Sequence, residues 1–112
     1  MTDEQRDAEL LRYIQESIGR IEQYARGGRE IFLQDAMVQD AVLRRLETLA
    51  DAASHLSSAC QARHPEIPWR AIYGFRNVAA HAYLSLNMER VWQTVSVQLP
   101  PLKAAVIREL SG

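Results

Sequence analysis

The longest regular pattern in the chain is an apolar seam. Val38, Val42, Leu46, Leu49, Ala53, Leu56 and Cys60 recur at steps of 4, 4, 3, 4, 3 and 4. Side chains three and four residues apart stack on one face of an α-helix, whereas a strand buries every second residue. The seam therefore predicts a long amphipathic helix from about Ala36 to about Arg63, with Asp35 as its N-cap. Its alanines let a neighbouring helix approach closely. No segment alternates with period two over a useful length, and no Asn-Gly or Asp-Gly hairpin dipeptide occurs. The predicted fold class is all-α, an up-and-down bundle of four to five helices.

The rest of the chain supplies the seam's partners. Thr2 and Gln5 form a capping-box pattern for a first helix, on which Leu11, Ile14, Ile18, Ile21 and Ala25 make one stripe. Gly27-Gly28 is expected to end it through a left-handed glycine. Residues Arg29 to Gln34 read as a short turn anchored by Ile31 and Phe32. Pro65 and Pro68 bound a loop, and Pro68 starts a third helix carrying Trp69, Ile72, Tyr73, Phe75, Val78 and Ala79. Asn87 caps a fourth with Val91, Trp92, Val95 and Leu99, which Pro100-Pro101 should kink or break before a last segment, Leu102 to Leu110.

Composition narrows the function. At 112 residues the chain is expected to be one domain, 1–112. A net charge of −1 draws it to neither nucleic acid nor a membrane surface. RNA contact would rest on a local patch, for which Arg44, Arg45, Arg70, Arg76 and Arg90 are candidates. A single Cys60 excludes an intrachain disulfide and a cysteine zinc site, and suits a reducing compartment. A polar N-terminus and no run of 18 apolar residues lead to the expectation of a cytoplasmic protein with no membrane association. His55, His64 and His81 are too dispersed for a dedicated metal site, and the P-loop, dinucleotide, nucleophile-elbow and HExxH motifs are all missing. No metal or cofactor is expected.

Chemistry concentrates in one stretch, where Arg76, Asn77, His81 and Tyr83 stand among small apolar residues. An imidazole titrating near ~6.5 transfers protons at neutral pH. A guanidinium presents a fork of donors to phosphate. Asn77 lies one turn before His81, able to orient the ring or to donate to a phosphate itself. Arg76 and His81 diverge by about 140° on an ideal helix. Either the helix ends or kinks between them, or they meet in another way, for example across a symmetric dimer.

Arg-x4-His-x-Tyr, here Arg76, His81 and Tyr83, resembles the signature of the HEPN superfamily and, within it, of the HepT toxins. GGREIFLQDAMVQDAVLRRLETLADAA, ARHPEIPWRAIYGFRN and RVWQTVSVQLPPLKAAV also resemble that family in order and spacing, from about Leu11 to Leu110. The resemblance implies a HEPN-like helical bundle that forms a homodimer and cleaves RNA without metal, using Arg76 and His81 with Asn77 in support. It further implies an MntA-like nucleotidyltransferase partner that neutralises the toxin by AMPylation of Tyr83. A non-catalytic helical dimer that binds the nucleotidyltransferase or a nucleotide is the alternative. Two departures stand out. Ala82 occupies a position where relatives often carry an acid, and Ala50-Asp51 stands where many read Gly-Glu.

Overall fold

A computed structural model describes the backbone of residues 1–85 and 87–112 and the side chains of 1–81 and 87–112. Among the described residues the chain is helical without strands, as the seam requires. Helix α1, Asp3–Tyr24, opens on the expected capping box: the Gln5 amide donates to Thr2 Oγ1 at 3.1 Å and the Thr2 amide to Gln5 Oε1 at 2.8 Å. Leu11, Ile14, Ile18 and Ile21 are buried on its inner face. Ala25 only caps the helix and is half-buried.

The glycine pair acts differently from the expectation. Gly28 has φ of +89° and ψ of −180°, which is the N-cap of a second helix rather than a left-handed stop to the first. That conformation is open to glycine almost alone. It turns the chain into α2, Arg29–Gln34, so the predicted turn is a short helix. Phe32 anchors it, buried and 5.4 Å from the Trp92 ring, whereas Ile31 is 51% exposed and lies over Gly27 instead of in the core.

Helix α3, Ala36–Ser54, is capped by Asp35, whose carboxylate accepts from the Met37 and Val38 amides at 3.0 and 3.2 Å. It stops short of Arg63. Ser57 adopts an extended conformation and caps a separate helix α4, Ser58–Ala62. The cause lies on α1, where buried Asp7 accepts from the Ser57 amide at 2.8 Å and from Ser57 Oγ at 2.5 Å. Leu56 and Cys60 remain buried beyond the break, so the seam's periodicity hides it. Asp7→Ala should strand the Ser57 amide and lower stability by about 1–3 kcal/mol, read as a lower denaturation midpoint.

The third predicted helix is also two: α5, Trp69–Tyr73, and α6, Phe75–Ser85, parted at Gly74. A Cβ at Gly74 would lie 3.2 Å from the Ala71 carbonyl oxygen, so glycine suits the tight junction. Asn87 caps α7, Met88–Gln93, as expected. A π-helical turn at Thr94–Gln98 then feeds α8, Leu99–Ser111, with the two prolines in its first turn. The helical run continues across the junction, where the Leu99 amide donates to the Thr94 carbonyl, and the wider π turn just before the prolines accommodates their rings. Helix α1 packs on α3 and α8, and α3 also packs on α5 and α6. Among the described residues no helix is long and apolar enough to cross a membrane.

Two histidines serve this frame. His55 ends α3 with Nδ1 2.8 Å from the Asp51 carbonyl oxygen. His64 is buried, and its Nε2 lies 2.6 Å from Glu109 of α8, which also accepts from Arg63 at 2.9 Å. The Arg63 hydrogen bond, supported by that to His64, holds the Glu109 carboxyl below its usual range despite desolvation. Because the folded pKa is lowered, the stabilisation is fully present above the unfolded carboxylate value and is lost as pH falls through the folded one. Thermal melts of wild type and Glu109→Gln should differ at neutral pH and converge in acid; a constant difference contradicts this assignment.

Candidate active site

Helix α6 is unbroken from Phe75 to Ser85, which removes one of the two ways Arg76 and His81 were expected to meet. Phe75, Val78 and Ala79 are buried against the bundle, while Arg76, Asn77, Ala80 and His81 are all exposed. At about 100° per residue, Ala80 and Asn77 sit between Arg76 and His81 on the outward surface. The pair thus marks the two edges of one solvent-facing stripe. The side chains of Ala82 and Tyr83 lie outside the described residues, so the stripe is defined by its first four members.

An open cleft of about 840 Å³ runs between this stripe and α3. From α3 come Asp40, Leu43, Arg44 and Glu47, at the spacing of one helix face. Tyr73 of α5 and Arg76, Asn77 and Ala80 of α6 form the opposite wall. Arg76 keeps its side chain 61% exposed, with Nη1 3.9 Å from Asp51 Oδ1 on α3. At that distance and exposure the ion pair contributes little stability, but it steers the guanidinium over the α3 flank. Two cations and two carboxylates leave the cleft close to neutral.

Of the residues singled out in the sequence, the structure brings Arg76 and Asn77 to the cleft, and places His81 one turn beyond Asn77. The five arginines do not form one strip. Arg44 meets Arg76, but Arg90 lines a separate depression with Phe75, Val78 and Thr94 on another flank of α6. Asp51, Asp40, Glu47 and Tyr73 were not anticipated at the site. The 40, 43, 44, 47 spacing was visible, but charges on an amphipathic helix ordinarily mark its solvated face. Their proximity to α6 is a tertiary fact. Among the described residues no group of three or more His, Cys, Asp or Glu side chains is placed to hold a metal ion.

Fold and site together define a helical-bundle protein that displays an Arg/His pair on one exposed helix face beside a polar cleft. The family model described as ribonuclease HepT-like matches residues 14–109. A Thermococcus cleftensis protein named "Probable ribonuclease HepT" is 36% identical over 96 residues, covering 85% of this chain and 87% of its own. "Putative RNase TTE0752" of Caldanaerobacter subterraneus subsp. tengcongensis is 30% identical over 77 residues, 69% of each chain. No solved structure gives a significant match. The chain belongs to the ribonuclease HepT-like family.

Proposed function

We propose that this protein is an endoribonuclease toxin whose competent site takes Arg76 from one copy and His81 from another. The observation that carries the reading is the unbroken α6, which displays both residues on one exposed stripe but directs them apart. For two copies packed face to face about a two-fold axis parallel to α6, the Arg76 edge of one lies beside the His81 edge of the other. An isologous contact of this kind supplies two such sites at once. Ala80 in the middle of the stripe lets the backbones approach.

The chemistry follows from the residue types. His81 removes the ribose 2′-OH proton, the 2′-oxygen bonds to phosphorus, and the P–O5′ bond breaks. A protonated imidazole or water supplies the proton to the leaving oxygen, giving a 2′,3′-cyclic phosphate and a 5′-hydroxyl. Arg76 compensates the charge that builds on the phosphorane oxygens, with Asn77 as a further donor. Mechanistically this route requires no metal and no cofactor.

Control is assigned to Tyr83, on the same helix two residues past His81. A cognate MntA-like nucleotidyltransferase attaches AMP to its phenol, placing a bulky anion where RNA phosphate must sit. The site is read as acting in the cytoplasm, where such a partner and RNA meet. The deciding assay is cleavage of RNA in excess EDTA with analysis of the product ends. Chelator-resistant cutting that leaves 2′,3′-cyclic phosphates supports the reading; complete inhibition by EDTA, or 3′-hydroxyl products, contradicts it.

A further inference from the structure

Resting on that ribonuclease reading, we propose that the cleft between α3 and α6 is a nucleobase subsite. It seats the nucleotide beside the scissile phosphate and selects a base with an exocyclic amino group over uracil. Single phosphates do not need a cleft of about 840 Å³. That volume lies within the ~300–1,000 Å³ typical of sites for organic ligands.

The lining separates into the parts a nucleotide requires. Arg44 and Arg76 reach the cleft from opposite walls, suited to the phosphates on either side of one base. Leu43 and Tyr73 are half-buried and packed on the hydrophobic core, which fixes them as an apolar and aromatic platform. Stacking on such a platform is worth much and tolerates any base. Selectivity must therefore come from Asp40 and Glu47. A cleft built only for phosphate would exclude these carboxylates, which repel it.

Ionised carboxylates accept hydrogen bonds and donate none. Adenine, cytosine and guanine each offer an amino donor on the pairing edge. Uracil offers one N–H flanked by two carbonyl oxygens, and these oppose a carboxylate. Asp40 and Glu47 lie two turns apart on α3, about 10 Å along its axis, on either side of Leu43 and Arg44, so a base held against Tyr73 turns its pairing edge toward one or the other carboxylate.

The test reads binding on His81→Ala protein, which holds RNA without cutting it. Fluorescein-labelled oligoadenylate, oligocytidylate and oligouridylate are titrated in turn. Oligoadenylate and oligocytidylate should bind about tenfold tighter than oligouridylate. The double change Asp40→Asn, Glu47→Gln conserves shape on an exposed surface and should narrow that preference to about twofold. Tyr73→Leu should weaken all three by about tenfold while Tyr73→Phe retains binding. Equal affinity for the three oligomers, a preference that survives the double change, or no binding at all overturns the subsite. Absence of cleavage by wild type would instead count against the ribonuclease reading, because the binding arm does not use catalysis.

Discussion

His81→Ala should reduce RNA cleavage by about a hundred- to ten-thousandfold, the contribution of a positioned general acid or base. Arg76→Ala should cost about a hundred- to a thousandfold, as when one donor to a developing oxyanion is removed. Neither loss should come from unfolding. Both residues are exposed on α6, and the Arg76 contact to Asp51 is long and solvated. Melting temperatures should stay near wild type, and Arg76→Lys should recover little activity, since an ammonium lacks the planar fork. Wild-type rates in both alanine variants, measured in EDTA, would remove these residues from the chemistry.

The second large effect concerns control. If the proposed MntA-like nucleotidyltransferase partner is co-produced with wild type, intact mass should show added AMP and cleavage should fall to background. Tyr83→Phe keeps the ring but has no phenolic oxygen to form the phosphodiester, so it should carry no adduct and remain active beside the partner. An adduct on Tyr83→Phe, or full activity of the AMP-bearing wild type, contradicts the assignment. On this proposal the modification would act through charge and bulk.

How far the sequence reached depends on which forces each element obeys. The Asp35 cap, the Thr2 capping box and the Ile14, Ile18, Ile21 stripe are local or periodic, and each stands where periodicity put it. The break at Ser57 was hidden because it is imposed by Asp7, fifty residues earlier, while the seam continues across it. The glycine pair marks a special backbone position in the sequence, but the φ of +89° at Gly28 serves the start of α2. At the site, Arg76 and His81 could be placed on one helix, and their divergence was computable from spacing alone. What spacing could not supply was the other wall. Asp40, Glu47, Asp51 and Tyr73 reach Arg76 only through the packing of α3 against α5 and α6.

Family membership explains why the motif and its flanking segments travel together along the chain. It does not say which copy supplies which group. In the arrangement argued above the two edges of the α6 stripe belong to different half-sites. A protein lacking Arg76 and a protein lacking His81 are then complementary rather than equally dead.

Mixing Arg76→Ala and His81→Ala protein, each inactive by itself, and allowing the subunits to exchange tests this most directly. Half of the dimers become mixed, and one of the two sites in each recovers an intact Arg76 and an intact His81. The mixture should reach about a quarter of wild-type cleavage at equal total protein. If it stays as inactive as its components after exchange has been verified, each site draws both residues from a single copy, and the composite cleft is wrong.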